Sequence, residues 1–165
     1  MRKIGTLGSI LCVVALLAGL SPGAARGQSA IPSDTAKRLV GTWRLVAITI
    51  DGQADPNRGP HPTGVITYTT QGTMAVQIMP DRARPFFAGA QPTPDEPKAA
   101  LTGYTAYFGT YTIDEARRTV THHFTGNIST GGLNDAVRRY EFATEDRVIL
   151  RPLENITALT WERIK

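Results

Sequence analysis

From residue 43 onward the chain alternates apolar and polar positions in short runs, with turn-forming residues between one run and the next. The runs cover residues 43–50, 65–69, 73–79, 105–113, 119–125, 137–143, 147–153 and 156–164. A period of two marks half-buried strands, because successive side chains point to opposite faces of a sheet. Thr70-Gln71-Gly72, residues 114–118, Thr144-Glu145-Asp146 and Glu154-Asn155 are short enough to join antiparallel neighbours. Eight antiparallel strands in chain order can close on themselves, which removes exposed edges. The pattern predicts an all-β fold, an eight-stranded antiparallel up-and-down barrel; a two-sheet sandwich is the alternative that a strand count leaves open. A barrel of this size has room for one small ligand. Residues 36–40 predict a helical turn capped by Ser33 or Asp34, and residues 95–103 a short helix with Asp95 and Glu96 at its positive end. Residues 55–62 and the five-proline stretch 80–97 read as loops, the second long enough to act as a flap.

Upstream the pattern changes. Met1-Arg2-Lys3 is followed by an uncharged run at 4–20 rich in Leu, Ala, Val and Gly, then by the small residues Gly23, Ala24, Ala25 and Gly27. This is the organisation of a secretory signal. The predicted cut falls before Gln28, with Ala24-Ala25 as the alternative site. An uncleaved anchor competes with this reading, since about 17 apolar residues is the lower limit for a bilayer span. The chain thus divides into a signal at 1–27, a polar lead-in at 28–38 and one domain at 39–165. The expected location is periplasmic or secreted, with no stable membrane span after cleavage.

The signal also explains most of the apparent basicity. A formal net charge of +4 falls to +1 when Arg2, Lys3 and Arg26 leave with it, because the segment holds no acid. Nucleic-acid binding needs a basic stripe on the folded domain, and none is expected here. Arg117-Arg118 and Arg138-Arg139 each have acids nearby. The single cysteine, Cys12, lies in the apolar run, so the mature domain has neither disulfides nor thiolate metal ligands. Asn127-Ile128-Ser129 and Asn155-Ile156-Thr157 match glycosylation sequons but read as chance matches behind a bacterial type of signal.

Several stretches taken together are more specific than any one of them. They are Leu39-Val40-Gly41-Thr42-Trp43-Arg44-Leu45, Gly64-Val65-Ile66-Thr67-Tyr68 with Gly72-Thr73-Met74, and Tyr104-Thr105-Ala106-Tyr107-Phe108-Gly109-Thr110-Tyr111. Val120-Thr121-His122-His123, Arg138-Arg139-Tyr140 and Leu159-Thr160-Trp161-Glu162-Arg163 complete the set. In this order the chain resembles the bacterial lipocalin-like domain family, from about Leu39 to the C-terminus. The resemblance implies a small barrel with an internal pocket and no defined activity. It also implies a structural plug, in which Arg163 of the last strand lies across Trp43 of the first. Such a contact gains roughly 0.5–2 kcal/mol of cation–π attraction. The plainer alternative is a surface Arg163 and a core Trp43.

Alternation assigns the remaining chemistry to faces. Val120, His122 and Phe124 share one face and Thr121, His123 and Thr125 the other, so His122 is expected inside and His123 outside. Adjacent histidines on opposite faces cannot ligate one metal, His61 is distant, and no zinc site or other cofactor is expected. The same argument turns Tyr68, Tyr107, Tyr111, Arg138 and Tyr140 inward. Gly109, between two inward tyrosines, marks a kink or a close backbone approach. An apolar interior with a few convergent polar groups is the usual composition of a ligand site. Tyr68, Tyr107, Tyr111, His122, Arg138 and Tyr140 are therefore the candidate ligand-binding residues. A buried Arg138 needs a counterpart, and with few acids on the inner faces that is a ligand carboxylate or tyrosine hydroxyls. A satisfied polar layer in a filled barrel competes with this reading.

Three functions follow. The first is an exported, non-enzymatic barrel that binds a small, largely apolar or acidic molecule. The second is a cofactor-independent isomerase, cyclase or hydratase with His122 as acid/base and a tyrosine or Arg138 polarising an oxygen. The third is a structural or interaction barrel filled by Met74, Phe108, Phe124 and their neighbours.

Overall fold

A computed structural model describes residues 33–84, 86–129, 133–154 and 156–165. The signal and residues 28–32 of the lead-in lie outside the described residues. The strands are β1 (Gly41–Ile50), β2 (Gln53–Ala54), β3 (Thr63–Tyr68), β4 (Thr73–Met79), β5 (Thr105–Asp114), β6 (Thr119–Asn127), β7 (Ala136–Thr144), β8 (Arg147–Pro152) and β9 (Thr157–Arg163). Two short helices accompany them, α1 (Asp34–Leu39) and α2 (Asp95–Leu101). From β3 to β9 each strand pairs with its successor, and β1 pairs with both β3 and β9. The result is a closed eight-strand antiparallel up-and-down barrel. The short β2 is an addition that sequence alternation does not predict. Asp51 and Gly52 both take positive φ, 50° and 78°, and pair Ile50 with Gln53. That is the backbone of a two-residue hairpin turn, which an Asp-Gly pair favours.

Strand alternation sets the core. In β4, Met74, Val76 and Ile78 are buried while Thr73, Ala75 and Gln77 are exposed. Leu45, Ile48, Ile66, Val120, Val148 and Leu150 join them inside. Phe108 does not, and the expectation of an interior filled partly by Phe108 is corrected here. It alternates with Tyr107 and Gly109, faces outward, and is 55% exposed. Its ring lies over Gly126, where any added Cβ would strike it at 2.4 Å.

One end of the barrel is sealed. Ser33 caps α1 by accepting from the Ala36 amide at 3.1 Å, and α1 delivers the buried Leu39 and then β1. Trp43 donates its indole N–H to the Leu39 carbonyl at 2.9 Å. Arg163 lies 4.1 Å from the centre of the Trp43 ring and donates Nη1 to the Val40 carbonyl at 2.8 Å. Its register partner across the β1–β9 seam is Trp43 itself. The glycine two residues before Trp43 now has a physical reason. Gly41 has φ +133°, and a Cβ there would sit 2.6 Å from Arg163 Nη1. Gly109 is the other constrained glycine. It sits at a break in the β5–β6 register, and a Cβ would approach the His123 carbonyl oxygen to 1.9 Å.

The proline-rich segment runs outside the barrel beside α2. Arg84 donates to the Ala100 carbonyl at 3.0 Å, and Arg82 to the carbonyls of Ala99 and Thr102. These arginines satisfy carbonyls that the helix end leaves unpaired.

Candidate functional site

His122 is the centre of the polar interior. Its place on β6 turns it inward, where it is 1% exposed, while His123 faces out and contacts Asp135 and Thr112. Both ring nitrogens of His122 are occupied: Nε2 lies 2.7 Å from the Tyr68 hydroxyl and Nδ1 2.9 Å from the Tyr107 hydroxyl. Burial, with help from the charge on Arg138, pushes the His122 pKa from 6.5 down to about 3. The ring is therefore neutral at ordinary pH. Burial also raises the phenol pKa of Tyr68 and of Tyr107, in both cases against the pull of the neighbouring Arg138.

The direction of the hydrogen bonds follows from what each hydroxyl can reach. Tyr68 is buried, and among the described residues its hydroxyl bonds to His122 alone. Its proton belongs on that bond, since the reverse polarity would bury an O–H without an acceptor at a cost of about 1–3 kcal/mol. Nε2 then accepts, the ring proton sits on Nδ1, and Nδ1–H donates to Tyr107. The Tyr107 proton is left to point elsewhere. Tyr107 lines an interior cavity of about 210 Å³.

That cavity is walled by Ile48, Ile66, Val76, Ile78, Leu150, Leu159 and Trp161, with Pro152 beside them. Its polar lining comprises Tyr107, His122, Arg138, Arg58, Thr105 and Thr157. Arg138 donates Nη1 to the Val137 carbonyl at 3.2 Å, and among the described residues no carboxylate lies within ion-pair distance of it. Arg58 is paired: Nη1 meets Asp55 at 2.6 Å and Nη2 meets Thr105 at 2.9 Å. Among the described residues its Nε finds no partner, and neither does the indole nitrogen of Trp161, which is 1% exposed.

Of the six residues expected to contact a ligand, Tyr107, His122 and Arg138 line this cavity. Tyr68 stands behind His122. Tyr111 and Tyr140 face inward but sit toward the sealed end. Tyr111 packs edge-on against Tyr68 and donates to the Thr69 carbonyl at 2.9 Å. Tyr140 lies 3.4 Å from the Thr35 hydroxyl of α1. Neither belongs to the cavity wall. Alternation identifies a face and not a depth along the barrel axis, which is why all six looked equivalent in sequence.

Arg58 and Trp161 also line the cavity and are not among the residues the sequence singled out, nor is Asp55, which pairs with Arg58. The signal for Arg58 and Asp55 was present: Asp55-Pro56-Asn57 forms a turn in which the Asp55 carboxylate accepts from the Asn57 amide at 2.8 Å, a habit of aspartate before such turns. Among the described residues no cluster of metal-ligating side chains occurs. A larger cleft of about 740 Å³ lies outside the barrel, between the proline-rich segment and α2. Its arginines donate to helix carbonyls and its Glu96 accepts from the Ala88 and Thr93 amides, so the interior cavity is the better candidate.

The sequence model of the lipocalin-like domain family matches residues 40–164. No curated protein matches the chain in sequence. A solved structure of a DUF4847 family protein from Bacteroides vulgatus is similar at 16% identity, with a TM-score of 0.43, covering 77% of this chain and 94% of that one.

Proposed function

The chain belongs to the lipocalin-like domain family, and we propose that it is an exported barrel that binds one small, largely apolar molecule in its interior. The observation that carries this reading is the cavity of about 210 Å³, with an aliphatic wall and a cluster of polar groups at His122, Tyr107 and Arg138. Export rests on the N-terminal sequence pattern. The cavity volume bounds the ligand. An apolar cavity of about 150 Å³ in another protein holds benzene, so this one suits a single substituted ring or a short branched chain. Acid/base chemistry by His122 is the weaker alternative. A ring with a pKa near 3 and both nitrogens engaged is a poor proton shuttle at neutral pH.

Single-ring aromatics and short branched-chain molecules are expected to raise the melting temperature, and long-chain fatty acids to leave it unchanged. At a hundredfold excess over Kd the stabilisation is about 2.7 kcal/mol. A thermal-shift panel in which no small ring or short-chain compound moves the transition contradicts the binding reading.

A further inference from the structure

We propose that the cavity is a carboxylate-recognition site, in which the polar groups left without a partner among the described residues are hydrogen-bond donors. This rests on the binding reading above and names the class of molecule bound. The hydroxyl of Tyr68 spends its proton on His122, His122 spends its own on Tyr107, and Tyr107 is left with an O–H to offer into the cavity it lines. The chain of three side chains thus has one polarity, and its free end is a donor.

The other polar groups point to the same partner. Trp161 lines the cavity, is buried, and has an indole N–H without an acceptor among the described residues. The Nε–H of Arg58 is in the same condition. Arg138 lines the cavity with no carboxylate within ion-pair distance among the described residues. The buried acid Asp55 is already taken by Arg58 and by the Asn57 amide. An indole N–H and a guanidinium can only donate, so the cavity presents unsatisfied donors beside a guanidinium that has no ion-pair partner among the described residues. A carboxylate answers both: its two oxygens accept several hydrogen bonds, and a guanidinium engages it with a fork of parallel N–H groups. The aliphatic wall then receives the body of the acid, of the size of phenylacetate.

Calorimetric titration of the full mature chain with phenylacetate, phenylacetamide, phenethylamine and toluene tests this. Phenylacetate is expected to bind at least tenfold more tightly than the amide, and the amine not to bind. Arg138→Gln, which removes a half-buried charge that has no ion-pair partner among the described residues and should still fold, is expected to weaken phenylacetate at least tenfold and the amide less than threefold. Tyr107→Phe is expected to weaken phenylacetate several-fold and provides a second variant should the first melt. Equal affinity for acid and amide, or an Arg138→Gln variant that keeps full affinity for the acid, overturns the carboxylate assignment while leaving the apolar-ligand reading standing. Failure of toluene and all three others to bind overturns both.

Discussion

Acidification from pH 7 to pH 5 is expected to cost the barrel about 2 kcal/mol of stability through His122 alone, and replacing His122 with leucine is expected to abolish that dependence. The ring has a pKa of 6.5 when free and about 3 in the barrel. As pH falls through 6.5 the unfolded chain takes up a proton that the native state refuses. Unfolding then gains about 1.4 kcal/mol per pH unit. The loss begins near pH 6.5 and is complete only below pH 3, where both states carry the proton. Above pH 7 the ring is neutral in both states and contributes no slope. The interval from 7 to 5 lies above the range in which Glu96 and Glu115 titrate, since hydrogen bonds hold both below the usual carboxylate value. Denaturant titrations at pH 7, 6 and 5 measure the slope. His122→Leu leaves the Tyr68 hydroxyl without its partner, so it is expected to be less stable at pH 7 yet nearly flat across the window. A wild-type protein equally stable at pH 7 and pH 5 contradicts the buried, neutral ring.

Trp43→Ala is expected to cost about 3–5 kcal/mol, the range for truncating a fully buried aromatic side chain. Trp43 is 0% exposed. Its removal opens a void at the sealed end, strands the Leu39 carbonyl that accepts its N–H, and takes away the ring under Arg163. In a domain of this size that corresponds to a fall of roughly 10–20 °C in Tm. Arg163→Ala keeps the buried ring and is expected to lose only about 1–2 kcal/mol. Thermal melts of the two variants separate the plug's packing from its cation–π contact. Equal losses would mean that the guanidinium, and not the indole, holds the end closed.

The architecture was readable because nearly every strand carries its own period-two pattern and its own turn residues. The run at 73–79 matches β4 (Thr73–Met79) residue for residue, since Gly72 and Pro80 punctuate both sides. The inward His122 and outward His123 followed from alternation, and a glycine inside a strand pattern marked Gly109 for a kink or a close backbone approach, of which the structure shows the close approach. The site was readable only in part, for two physical reasons. Alternation carries no depth, so Tyr111 and Tyr140 shared a face with Tyr107 while lying at the α1 end. Loops have no period, so the path that brings Arg58 to the cavity is fixed by tertiary contacts such as its pairing with Asp55 and the Asp55 amide on the Ile48 carbonyl. The unpaired indole of Trp161 is a property of its surroundings, which a linear pattern does not report.

The most direct measurement is the ¹⁵N spectrum of the His122 imidazole followed from pH 8 to pH 5. The account predicts a neutral ring with the proton on Nδ1, a bare Nε2 facing Tyr68, and shifts that do not move across the range. A ring protonated on Nε2 alone would reverse the hydrogen-bond polarity that makes Tyr107 a donor, and a ring that titrates near 6.5 would not be the buried, neutral imidazole described above; either result contradicts the account.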